Sequence, residues 1–165
     1  MLTNNPKFRQ IVETAKALFW KHGMKRVTVE EICEKSNVSK MTFYKHFSNK
    51  TDLAKYFLQN IFDEGTEQYR NIIESNRPYV EKVKMIIQMK MEFTKEISHE
   101  FLNDLYKGED PELKKIIETY MKHNLEMIRN DFIKAQEKGD IRKDVSPQFL
   151  VYMMNMLIDI STDKN

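Results

Sequence analysis

Apolar residues recur along this 165-residue chain at three- and four-residue steps, the period of helices buried on one side. Phe8, Ile11, Val12, Ala15, Leu18 and Phe19 form one such stripe over residues 5–22, bracketed by Pro6 at its start and Gly23 past its end. Thr28 and Glu31 then have the spacing of a capping box, and Val27 and Ile32 that of a hydrophobic staple, so a short helix opens at Thr28. Ser36-Asn37-Val38-Ser39 reverses the chain: Asn37 tolerates a left-handed backbone, and Ser39 caps a helix over residues 40–47. Leu53, Tyr56, Phe57 and Ile61 mark the inner face of the next helix, which starts from a cap at Ser48 or Asn49 and ends between Glu64 and Tyr69.

Beyond the break at Asn76-Arg77-Pro78 the pattern lengthens. A helix runs from Pro78 to about Ile97, with Val80, Val83, Ile86, Ile87, Met89, Phe93 and Ile97 inward or shared between faces. Ser98 caps a short helix over residues 100–106, which Lys107-Gly108 ends. Asp110-Pro111 opens a long helix that Gly139 closes after Lys138. Pro147 starts a last helix over residues 148–160, apolar on most of its circumference and therefore buried on more than one side, against the body and a second subunit. The expected class is all-α.

Charge divides this string of helices. Residues 1–50 hold ten basic and four acidic side chains, a net of +6, while the remainder holds seventeen and twenty-one, a net of −4. A basic head on an acidic body attracts a polyelectrolyte at one end and repels it at the other. The single Cys33 excludes an intramolecular disulfide and any C-x-x-C metal pair, and it is expected on the core side as inert packing. No signal segment and no run of about 20 apolar residues is present, so the chain is expected to be cytoplasmic, without membrane contact.

Candidate chemistry gathers on the helix over residues 40–47. Val38, Phe43 and Phe47 fall on its inner side, while Lys40, Met41, Thr42, Tyr44, Lys45 and His46 face outward. A helix of about two turns with cations, hydroxyls and a phenol on one face suits a DNA major groove; a solvated helical hairpin is the plainer reading of the same pattern. The stretch VTVEEICEKSNVSKMTFYKHFSNKTDL resembles the DNA-binding signature of the TetR family of transcription regulators. Thr28, Ile32, Val38, Ser39, Thr42, Tyr44, Phe47, Lys50 and Leu53 stand at its fixed points, with Asn37 in place of the usual turn glycine and Met41 where a small residue is frequent.

That resemblance implies a three-helix helix-turn-helix head, residues 1–50, and a helical body for effector binding and dimerisation, residues 51–165. It implies double-stranded DNA, an unknown small-molecule effector and a second copy of the chain as partners, and no cofactor. Thr28, Tyr44, His46 and Lys50 match positions that usually hold phosphate. Lys40, Met41, Thr42 and Lys45 are candidates for base edges, and Ser39 completes the set. The family's body commonly closes with one more helix than five residues after Ile160 can form. Either the chain is a short member or a C-terminal helix lies beyond it, and the dimer interface stays open.

For an effector, the eleven methionines and many aromatics suggest an adaptable apolar cavity between the body helices, with Met89, Phe93, Phe101, Tyr106, Tyr120, His123 and Met127 as its lining. Met and aromatic residues at helical spacing are also what a plain core requires. Glu92, Glu96, His99, Glu100 and Asp104 lie at three- and four-residue steps, but an acidic helix face is ordinarily just solvated, and no metal site is expected. No G-x-S-x-G, P-loop, G-x-G-x-x-G or H-E-x-x-H is present, and the four histidines form no triad, so no catalytic residue is assigned. The expected function is a ligand-responsive repressor that binds a pseudo-palindromic operator as a homodimer. The alternative is a helical interaction protein tethered to DNA without a small-molecule effector.

Overall fold

The computed structural model describes residues 5–95, 97–149 and 152, and every regular element among them is an α-helix. In chain order these are α1 (Pro6–His22), α2 (Val29–Lys35), α3 (Lys40–His46), α4 (Lys50–Glu74), α5 (Tyr79–Lys95), α6 (His99–Lys107) and α7 (Pro111–Lys138). Residues 147–149 are also helical; the rest of the expected last helix, Tyr152 apart, lies outside the described residues.

Side-chain caps set most of the starts. Asn5 accepts from the Lys7 and Phe8 N–H groups ahead of Pro6, Ser39 from Thr42, Ser98 from Phe101, and Asp110 from Glu112 and Leu113. At α2 only half of the capping box forms. Thr28 Oγ1 accepts from the Glu31 N–H at 3.1 Å, but the Glu31 carboxylate turns instead to Lys35, one turn along the same helix. Thr28→Ala is therefore expected to cost about 1 kcal/mol, read from the midpoint of urea unfolding. An unchanged midpoint would mean that α2 does not depend on this cap.

By their internal packing the described residues form two units. The first takes in the described parts of Met1–Ile61 and Glu96–Ile117. Here α1 packs on α2, α3 and α6. Phe8 stacks on Phe47 at 5.5 Å and meets Tyr56 edge-on at 5.3 Å, while Phe57 meets Phe19 at 5.4 Å and Phe101 at 5.9 Å. Val27 and Ile32 are fully buried, as a hydrophobic staple requires. Cys33 is buried too, and burial raises its thiol pKa, which keeps it protonated and inert.

The second unit takes in the described parts of Phe62–Lys95 and Glu118–Asn165. Tyr69, Ile86 and Ile128 form its core cluster, with Ile72, Ile73, Met127 and Phe132 packed against them. Two sequence expectations are corrected here. The first concerns α4, which continues to Glu74 instead of ending between Glu64 and Tyr69, because Phe62, Tyr69, Ile72 and Ile73 prolong its buried stripe. Gly65 does not stop it: a Cβ there would stand 3.7 Å from the Tyr120 hydroxyl, an ordinary contact. The second concerns α5, where Val80 and Ile87 were inward candidates but lie exposed. Its inner stripe is Tyr79, edge-on to Phe132, then Lys82, whose ammonium donates to the Ile73 carbonyl at 2.7 Å, then Ile86. Apolar residues occupy both faces of this helix, so periodicity alone could not choose between them.

Candidate nucleic-acid interface

The turn between α2 and α3 holds Asn37 at φ +52°, the left-handed conformation the sequence pointed to. Around it the Val38 N–H donates to the Cys33 carbonyl at 3.0 Å and the Asn37 N–H to the Glu34 carbonyl at 3.2 Å, the paired bonds of a Schellman closure. Ser39 follows as N-cap of α3, its Oγ accepting from the Thr42 N–H at 3.2 Å and lying 3.0 Å from the Thr42 hydroxyl. Phe43 is completely buried, and Val38 and Phe47 are buried with it. These anchors aim the opposite face outward, where Met41 is 69% and Tyr44 53% exposed.

The nine expected DNA-contact residues fall into two groups. Lys40, Met41, Tyr44 and Lys45 present their side chains to solvent on α3. The others have work within the fold: Thr28 and Ser39 cap helices, Thr42 meets Ser39, and the His46 ring stands edge-on to Phe8 at 5.5 Å. Lys50 departs furthest from a free phosphate clamp. Its ammonium donates to the Lys25 carbonyl at 2.8 Å, and burial pushes it below the ordinary lysine value against the pull of Asp104. The same peptide segment is held from the other side, where the Asp104 carboxylate accepts from the Lys25 N–H at 2.8 Å. Lys50 and Asp104 thus grip the loop that leads into α2.

The candidate effector residues are not gathered into one site. Phe101 and Tyr106 belong to the first unit, where Phe101 is core and Tyr106 exposed. In the second unit Tyr120 stacks on Phe62 with ring centroids 3.8 Å apart, Met89 is half-buried, and Phe93 lies at the exposed margin. His123 and Met127 line an open cavity of about 590 Å³. Its other walls include Arg70, Glu74, Lys82, Glu126, Lys134 and Lys138, so it is more polar than the apolar pocket the composition suggests. Asp104, from the acidic set, is occupied at Lys25. No group of three or more His, Cys, Asp or Glu among the described residues is placed to hold a metal ion. No helix among them is long and apolar enough to cross a membrane.

Residues 11–57 match the family described as "Bacterial regulatory proteins, tetR family", and the match covers α2, the turn and α3 in full. The helix-turn-helix segment is of the TetR family. The helical order of the whole chain agrees with solved structures. A transcriptional regulator FadR from Bacillus subtilis, solved in complex with stearoyl-CoA, superposes with a TM-score of 0.76 at 19% identity, over 94% of this chain and 84% of that one. In sequence, the transcriptional repressor KstR2 of Mycobacterium tuberculosis is 24% identical over 88 residues, 53% of this chain and 44% of its own length. The chain therefore spans less than half of that relative in the match. The transcriptional repressor DhaR of Mycobacterium sp. (strain GP1) is 26% identical over 161 residues, covering 90% of this chain and 77% of DhaR.

Glu30 is a residue of the candidate interface that sequence reasoning passed over. Its carboxylate bonds the Lys40 ammonium across the two helices, and each holds the other charged: Lys40 is raised above and Glu30 lowered below its ordinary value by that bond. The ten-residue separation fits no within-helix spacing, so no sequence signal marked the pair.

Proposed function

We propose that this chain is a DNA-binding repressor that acts as a homodimer on a pseudo-palindromic operator and is released by a small, mostly apolar effector. The observation that carries the DNA part is α3: buried Phe43 and Phe47 hold a helix whose outer face offers Lys40, Met41, Tyr44 and Lys45. Two such helices, one per protomer, would enter successive major grooves about 34–36 Å apart. Lys40, Met41, Thr42 and Lys45 read base edges, while Thr28, Ser39, Tyr44 and His46 set register on the backbone, and Lys50 holds the loop that leads into α2. The effector part has support from the stearoyl-CoA complex of the Bacillus subtilis relative, an amphipathic thioester. In this chain Met89, Phe93, Tyr120, His123 and Met127 of the second unit are the proposed contacts. Release requires the effector to bind the DNA-incompetent state more tightly than the competent one.

Fluorescence anisotropy of the purified chain on duplexes selected from a random pool tests both parts. Binding at two chains per site, lost on addition of stearoyl-CoA but not of free coenzyme A, is the expected result. Tight binding that no acyl thioester weakens would remove the effector from the proposal and favour a DNA-tethered interaction protein. Tyr44→Phe is expected to weaken binding to all sequences alike, about fivefold, since it deletes one hydroxyl contact to a phosphate. A changed sequence preference at unchanged affinity would show instead that Tyr44 reads a base.

A further inference from the structure

We propose that Glu30 and Lys40 read one G·C base pair as a unit, which makes Glu30 a specificity-determining residue of α2. This rests on the reading of the first unit as a DNA-binding head. Glu30 lies in the first turn of α2 and Lys40 is the first residue of α3, with their charged groups in direct contact and both side chains more than half exposed. An ion pair so open to water adds little to folding stability. It does hold one donor group and one acceptor group side by side, next to Tyr44, which follows Lys40 by one helical turn.

That arrangement matches one base-pair edge better than the other. In the major groove guanine offers two adjacent acceptors, N7 and O6, and cytosine offers the N4 donor at the end of the row. O6 and N4 are bonded to each other and so lie about 2.9 Å apart. An ammonium can only donate and a carboxylate can only accept, so Lys40 on guanine and Glu30 on cytosine N4 satisfy both without separating. An A·T pair places its single donor, adenine N6, between two acceptors, and the thymine methyl covers the flank. A carboxylate brought to that donor meets an acceptor with its second oxygen.

The pair also carries no net charge, in contrast to Lys45 on the same helix. Sequence-independent attraction to phosphate grows with net positive charge, so a neutral pair adds little to it. Glu30 near a phosphate is repelled, and that cost falls on every non-specific complex. The pair therefore supplies discrimination in place of raw affinity.

The test is binding-site selection with the purified full chain, followed by titration of the selected duplex with each base pair changed in turn. Wild type is expected to prefer G·C over A·T by about tenfold or more at one position per half-site. Glu30→Gln and Lys40→Gln should each flatten the preference at that same position and leave the others intact. The double variant should lose no more than either single one, since both act on one base pair. If the two variants flatten different positions, or if Glu30→Gln merely tightens binding to every sequence alike, the inference is overturned while DNA binding stands. A chain that enriches no duplex at all would overturn the DNA-binding reading itself.

Discussion

Phe101→Ala is expected to destabilise the protein by about 3–5 kcal/mol, the range for emptying a large aromatic site in a packed core. Phe101 is 1% exposed and among the largest fully buried side chains. Its ring meets Phe57 of α4 edge-on, and Phe57 in turn meets Phe19 of α1, so three helices of the first unit share one aromatic column. Neighbours already locked ring against ring cannot close over the cavity, which places the expected cost in the upper part of the range. Whole-domain stability is only about 5–15 kcal/mol, so this cost is a large fraction of the total. Urea unfolding followed by circular dichroism measures this directly. The sequence also allowed Phe101 to line an effector pocket. A variant with unchanged stability and altered ligand affinity would restore that role and remove Phe101 from the core.

Gly23→Ala is expected to cost about 2–4 kcal/mol through two separable causes. Gly23 stands at φ +78° and ψ 157°, a conformation that side-chain-bearing residues rarely adopt, while its N–H still closes α1 by donating to the Phe19 carbonyl at 2.8 Å. An added Cβ would also lie 2.6 Å from Asp104 Oδ2 and 3.2 Å from the Glu100 carbonyl oxygen. The carboxylate would have to move, and it is the acceptor for the Lys25 N–H. In an Asp104→Ala background the clash with the carboxylate should vanish, leaving the backbone strain and the tight approach to the Glu100 carbonyl. A four-variant cycle of unfolding free energies should therefore show a coupling of about 1 kcal/mol or more between the two positions. Strict additivity would mean that the Asp104 contact contributes nothing to the requirement for glycine.

Both predictions turn on contacts made far along the chain, and these were the illegible part of the sequence. Lys25 and Asp104 are 79 residues apart, and no spacing rule links a backbone N–H to a carboxylate at that distance. Lys50 read naturally as a phosphate clamp because it follows a helix-turn-helix signature, yet its ammonium lies on the Lys25 carbonyl. Glu30 had no role assigned from the sequence, and only the crossing of α2 and α3 brings it onto Lys40. By contrast, the Ser39 and Ser98 caps, the left-handed Asn37 and the glycines that follow α1 and α7 were all anticipated in place. Each of these acts within about five residues of itself.

The sequence by itself determined the all-helical class, the helix starts and, α4 apart, the stops to within a few residues, the turn between α2 and α3, and the TetR-type head. All of these follow from local chemistry: caps, backbone preference and a 3.6-residue period. Only the tertiary structure decided which face of α5 is inner, that α4 runs on to Glu74, that Phe101 serves the core, and that Lys50 and Asp104 grip one loop. A helix with apolar residues on several faces has several admissible burials, and a charged side chain has several admissible partners. Packing chooses among them by the area it removes from water and the hydrogen bonds it completes, quantities that no single segment of the chain contains.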